Sequence, residues 1–132
     1  MKAHVLIAGD AKGEVLALSY PISFWGGVDP KTGNIIDARH PERGKNIAGK
    51  ILALPGMIGS SSAAAVMLEL IHAGKAPAAL IMPEPDAILL LGVIVAHEME
   101  WPNCPAFALD KITQKTLHGK IIHIASDGTI DA

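Results

Sequence analysis

Apolar and polar positions give the two halves of this chain different rhythms. In the first half, short apolar runs are bounded by turn residues. Residues 4–8 (HVLIA), 14–18 (EVLAL), 34–37 (NIID) and 50–54 (KILAL) are long enough for strands and too short for helices. Between the first two lies GDAKG, residues 9–13, whose Gly and Asp tolerate turn dihedrals. Residues 20–28 follow no period and are rich in Pro, Gly and aromatics. DPKTGN, residues 29–34, has the proline and closing glycine of a hairpin loop. Residues 38–49, ARHPERGKNIAG, read as a polar loop.

The second half alternates. Ser61 or Ser62 can cap a helix that reaches about His72, and Gly74 sits where such a helix stops. Residues 77–83, PAALIMP, form a buried strand. Asp86 caps a second helix, residues 87–99, although Val93, Ile94 and Val95 would also suit a strand. Residues 104–109, CPAFAL, are a strand, and Asp110 caps a short helix through Leu117. KIIHIAS and TIDA flank Asp127-Gly128, a two-residue hairpin signal. A β-rich start followed by strand–helix alternation predicts an α/β class. The layers would be β/β/α, a sandwich or barrel-like set of strands with helices packed outside. With 132 residues and no repeat, the chain fits one domain, 1–132.

Composition narrows the function classes. Half the residues are hydrophobic but only 4% are aromatic, so the core is aliphatic. Met67, Met82 and Met99 read as core filler. Charged residues make up 18%, against roughly 25% in ordinary domains. That shortage fits a surface partly covered by a partner. The net charge of −2 gives no sign of nucleic-acid or anionic-membrane binding. The strongest apolar segment, residues 87–96, is half of what a bilayer span needs. The start, MKAHVLIAG, is too short for a signal peptide. One cysteine, Cys104, excludes an internal disulfide and an iron–sulfur cluster built by this chain alone. A cytoplasmic protein is expected.

Three stretches carry candidate chemistry. GMIGSSS, residues 56–62, places a glycine-rich loop after a strand and before a helix. Backbone N–H groups and the helix dipole there favour an anion or an activated serine. A plain helix cap fits the spacing equally well. No Lys-Ser/Thr follows the second glycine, so the stretch is not a phosphate-binding Walker loop. Nor do Ala63 and Ala64 complete a nucleophile elbow. YPISFWGGVDPKTG gathers Tyr20, Phe24 and Trp25 with Gly26-Gly27, which permits close backbone approach to a ligand. A structural loop around a buried tryptophan is the plainer alternative. DARHPERGK collects Asp37, Arg39, His40 and Arg43. An arginine there can grip a carboxylate or phosphate, or the stretch is a solvated loop. The six histidines show no metal-ligand spacing, and no metal is expected on this chain. Glu84 and Asp86 could form a carboxylate pair, but capping explains Asp86 more simply.

PISFWGGVDPKTGNIIDARHPERGKNIAGKILALPGMIGSSS and APAALIMPEPDAILLLGVIVAHEM together resemble the small subunit of the aconitase X family. The ordered set Pro-Ile-Ser-Phe, Gly-Gly-Val-Asp-Pro, His-Pro, Gly-Lys, Gly-Ser and Ala-Pro-Ala-Ala carries the resemblance, which is clearest over residues 21–99. The resemblance implies the swivelling β/β/α domain of a hydro-lyase. Its large partner subunit, in a heterodimer or higher assembly, would carry the iron–sulfur cluster. The substrate would be a small hydroxy acid such as cis-3-hydroxy-L-proline or mevalonate 5-phosphate. Ser60 takes the place of the serine that acts as base in aconitase-like enzymes. Gly59, Ser61, Ser62, Gly26, Gly27 and Arg39 are the implied substrate-binding residues, with Ser61 and Ser62 also free to cap the helix. Aconitase follows its Gly-Ser-Ser with Arg and Glu, whereas this chain has Ser62 and Ala63. The substrate carboxylate would therefore be held by Arg39, Lys50 or the partner. Two alternatives stand beside this reading. One is a phosphohistidine carrier of the same swivelling shape, although no histidine lies in its usual Gly-Gly context. The other is a non-catalytic interaction module.

Overall fold

Solid apolar runs in the middle of the chain become strands buried on both faces. In the computed structural model, which describes residues 1–132, β3 (Ile51–Ala53) and β4 (Ala79–Met82) expose no side chain. They lie with β2 (Ala11–Ala17) and β5 (Ala106–Ala108) at the centre of a seven-stranded sheet. Its outer strands are β1 (His4–Ile7), β6 (Ile121–Ile124) and β7 (Ile130–Asp131). The order is β1-β5-β4-β3-β2-β6-β7. The four central strands are mutually parallel, and the outer strands pair antiparallel.

The sheet curls until its edges meet. The Ala3 N–H donates to the Gly128 carbonyl and the Ile130 N–H to the Met1 carbonyl, both at 2.9 Å. Gly128 has a φ of +92°, and a Cβ there would strike the Ala3 carbonyl oxygen, so glycine serves both the turn and the closure.

Alternation along the strands divides the interior in two. Ile51, Ala53, Ala79, Ile81 and Phe107 face one core with Val15, Ile122, Ile124 and Ile130. Leu52, Leu54, Leu80, Met82 and Ala106 face the other, beneath α2 (Ala63–His72) and α3 (Ala87–Glu98). In chain order α2 comes after β3 and α3 after β4. α3 begins where the Asp86 carboxylate accepts the Leu89 N–H at 2.9 Å, and α4 (Lys111–Leu117) where Asp110 accepts the Thr113 N–H at 2.9 Å. The Thr113 hydroxyl and N–H together hold the Asp110 carboxyl below the usual carboxylate range. Gly74 closes α2 at φ +72°. The expected α/β class, barrel-like strands flanked by helices, is the observed fold. No helix is long and apolar enough to cross a membrane.

Several local expectations need correction. β2 starts at Ala11 rather than Glu14, because Ala11, Lys12 and Gly13 pair with β6. Residues 34–37 form no strand and make only single bridges, Val28 with Ile35 and Asn34 with Asn46. The last hairpin turns through three residues, with Ala125 N–H bonded to the Thr129 carbonyl, rather than two. Met99 is half exposed, beyond the end of α3. Trp25 is 63% exposed, whereas Phe24 beside it is buried. α3 is apolar on more than one side: Leu89, Val93 and Ala96 face the core while Ile88, Leu91 and Ile94 are exposed.

Candidate active site

Parallel strands send all their carboxyl ends to one edge of a sheet, and ligands of open α/β sheets bind there. At this edge three loops replace regular structure. The first is residues 18–28, which include α1 (Phe24–Gly27), a single turn whose Trp25 and Gly26 are not helical. The second is residues 35–45, and the third is residues 55–62. Backbone bonds knit them together. Ile22 bridges Met57, and the Ile58 N–H donates to the Ile22 carbonyl at 3.1 Å. The Gly27 carbonyl accepts the Ile36 N–H at 2.9 Å and the Asp37 N–H at 3.3 Å. α1 also packs on α2.

Ser60 lies near the end of the third loop and is half buried. Its Oγ accepts the Ser62 N–H at 3.2 Å, and its carbonyl accepts the Ala63 N–H at 3.2 Å. The expected capping role of Ser61 and Ser62 is therefore not what forms. Ser62 occupies the N-cap position with helical dihedrals and makes no side-chain cap bond. An N-cap side chain needs extended backbone to reach back to the first turn. The hydroxyl that takes an amide just before α2, that of Ser62, belongs to Ser60. Electrostatically, a donor N–H and the positive end of the helix dipole both face Ser60 Oγ, and both favour negative charge on it.

The other candidates lie on the same three loops, apart from Lys50. Gly59 and Ser61 are exposed. Gly26 has φ +79° with open space on its Cβ side. Gly27 is buried, and a Cβ there would lie 2.9 Å from Ile22 Cγ1. Arg39 is exposed, and its guanidinium has neither a hydrogen-bond partner nor an ion pair. Lys50 is elsewhere. It precedes β3, at the opposite edge of the sheet, and its Nζ lies 3.6 Å from Glu14 Oε2.

The largest cleft, about 610 Å³, shares the Pro55–Met57 wall with this cluster but is not lined by Ser60. Glu84, Asp86 and Asp110 face it against one cation, Lys111. An acidic cleft repels a carboxylate, so it is a poor seat for an anionic ligand. Glu84 and Asp86 meet in this cleft, and Asp86 is occupied with its cap.

A phosphohistidine carrier needs a histidine with a free ring nitrogen, and His40 does not supply one. Its side chain is 1% exposed, Nε2 lies 2.9 Å from the Tyr20 carbonyl, and Nδ1 accepts the Glu42 N–H at 3.1 Å. Neither nitrogen is free to attack a phosphoryl group. The sequence reading missed Glu42 as a tie. Its carboxylate accepts the Ser19 N–H at 2.6 Å and the Ser19 hydroxyl at 2.9 Å. The only signal was the string His-Pro-Glu, whose partners lie about twenty residues away in sequence.

An iron–sulfur cluster does not fit this chain's own residues. Cys104 is buried, burial pushes its thiol up to about 12, and no group of three His, Cys, Asp or Glu side chains is placed to hold a metal.

A family model described as the aconitase X swivel domain matches residues 1–132. The chain belongs to the aconitase X swivel-domain family. Its likeness to solved structures extends over the whole fold. A crystal structure of Thermococcus kodakaraensis aconitase X in its holo-form superposes with a TM-score of 0.85 at 34% identity, covering 98% of this chain and 95% of that one. A solution NMR structure of a UPF0107 protein superposes with a TM-score of 0.84 at 28% identity over 99% of this chain and 96% of that one. Among curated relatives, a cis-3-hydroxy-L-proline dehydratase of Pseudomonas aeruginosa is 48% identical over 106 residues, 80% of this chain. That match spans only 18% of the relative's length. A phosphomevalonate dehydratase small subunit of Thermococcus sibiricus is 36% identical over 128 residues, 96% of this chain and 92% of the relative.

Proposed function

We propose that the chain is the small, swivelling part of an aconitase-X-type dehydratase, a hydro-lyase, in which Ser60 accepts the substrate proton. The observation that carries the reading is the Ser60 hydroxyl at the amino end of α2, taking the Ser62 N–H. A free serine hydroxyl is a very poor base. It works only as an oxyanion stabilised by fixed donors, and the start of α2 supplies that field. The C–H bond next to the substrate carboxylate breaks toward Ser60 Oγ. Its electron pair forms the C=C bond as hydroxide leaves the neighbouring carbon. Arg39, free of any partner, holds the carboxylate, and Gly59, Ser61, Ser62 and the Gly26-Gly27 backbone line the remaining surface.

The rest of the site falls to a large partner, expected to carry the iron–sulfur cluster and to receive the departing hydroxide. The Pseudomonas relative supports this division, because about four-fifths of its length lies outside the match. The exposed apolar side of α3 supports a partner-covered surface. The relatives point to two substrates, cis-3-hydroxy-L-proline and phosphomevalonate. The test is co-assembly with a cluster-bearing large partner, assayed on both. Dehydration that needs this chain and fails with Ser60→Ala supports the reading. Full activity of the large partner alone would instead support a non-catalytic module.

A further inference from the structure

We infer that His40 is a positioning residue that sets the place of Ser60 through the backbone of residues 20–22. The inference rests on the reading of Ser60 as proton acceptor.

The partners of His40 decide its chemical form. The Tyr20 carbonyl can only accept, so Nε2 carries the hydrogen and donates it. The Glu42 N–H can only donate, so Nδ1 is bare. The ring is therefore the neutral Nε2–H tautomer, buried to 1% side-chain exposure. Its two bonds do different things. The Glu42 bond is local and shapes the turn of residues 40–43, next to the Asp37–His40 turn that carries Arg39. The Tyr20 bond spans twenty residues and fastens that turn to the neighbouring loop.

From Tyr20 the tie runs straight to the serine. Two residues on, Ile22 bridges Met57 and accepts the Ile58 N–H at 3.1 Å. Ser60 follows Ile58 by two residues. The loop of residues 35–45 thus clasps residues 20–27 at both ends, at Tyr20 through His40 and at Gly27 through Ile36 and Asp37. The middle of the clasped segment holds the Ser60 loop. No strand ladder fixes these residues, and the other ties between the two loops, Glu42 on Ser19 and Ile36 and Asp37 on Gly27, fall outside the span Tyr20 to Ile22, so loss of the His40 bond loosens that span. Displacements of about 1 Å at such remote sites can cost on the order of a hundredfold in rate.

Glutamine and asparagine separate the two bonds. The side-chain amide of His40→Gln reaches the place of Nε2 and can donate to Tyr20. The side-chain oxygen of His40→Asn reaches the place of Nδ1 and can accept from Glu42. In the assembled enzyme, His40→Gln is expected to keep kcat within about threefold of wild type. His40→Asn is expected to lose about tenfold or more in kcat with KM held, because the turn bearing Arg39 is closed by Asp37 and does not use the ring. Both variants should lower Tm alike, so stability cannot produce the split. Nitrogen-15 NMR of the unmodified chain should show His40 protonated at Nε2 only. Equal kcat in the two variants, or protonation at Nδ1, would overturn the positioning role while Ser60→Ala remained inactive. An active Ser60→Ala would instead overturn the reading on which it rests.

Discussion

β3 and β4 and the loops that leave their carboxyl ends are held by different forces. Every side chain of the two strands is buried, and each strand has parallel neighbours on both sides. The loops of residues 18–28, 35–45 and 55–62 have no ladder. Single bridges and side-chain ties hold them, such as His40 on Tyr20 and Glu42 on Ser19. Burial is non-directional and its loss appears as lost stability. A tie is directional and its loss appears as misplacement. The strands therefore set whether the domain folds, and the ties set where Ser60 points.

The comparison breaks most visibly in the strand core. Phe107, fully buried in the core with Val15, Ile51, Ile81 and Ile122, should cost about 3–5 kcal/mol of unfolding free energy as Phe107→Ala, measured by denaturant titration. A loss under about 1 kcal/mol would mean that burial does not hold the scaffold.

Gly92 lies where α3 crosses α2, and a Cβ there would come 2.7 Å from the Ala64 carbonyl and 3.0 Å from Met67 Cβ. Gly92→Ala should cost about 1–3 kcal/mol. Because Ala64 is in the first turn of α2, the same variant should also shift the amide resonances of Ser60 and Ser62. It is a scaffold change felt at the site.

A smaller effect distinguishes the helix starts. Asp86→Ala removes a formed cap and should cost about 1 kcal/mol. Ser62→Ala removes a hydroxyl that caps nothing, and should stay within about 0.5 kcal/mol by thermal unfolding. Equal losses would restore Ser62 as a cap.

The weakest effect is that of pH. Bonds from Thr113 hold the Asp110 carboxyl below its ordinary value, and bonds from Thr129 do the same for Asp127. Both pKa values are lower folded than unfolded. Their contribution is thus present above the unfolded value, near 4, and is lost as pH falls through the folded value. Both groups are exposed, so the decline should be shallow. Asp110→Asn with Asp127→Asn should flatten the pH dependence of Tm below about pH 4.

The strands were legible for the reason that makes them stable. Two buried faces turn LALP and LIMP into solid apolar runs that each end at a proline, and an aspartate at the starts of α3 and α4 marks its own cap. The loop cluster was not legible in the same way. Residues 34–37 look like a strand but meet only single partners. Three adjacent hydroxyls are alike in sequence, and only the helical dihedrals of Ser62 assign the amide to Ser60. Trp25 and Met99 read as core because hydrophobicity alone does not say which side of a turn or helix end faces out. The His40–Tyr20 tie leaves no periodic signal.

The central claim is that Ser60 takes the proton, and exchange of the substrate C–H hydrogen with deuterated solvent reads that step most directly. In the assembled enzyme, Ser60→Ala should slow exchange by about 10²–10⁴-fold while substrate Kd and Tm stay near wild type. Exchange at the wild-type rate in Ser60→Ala would contradict the account.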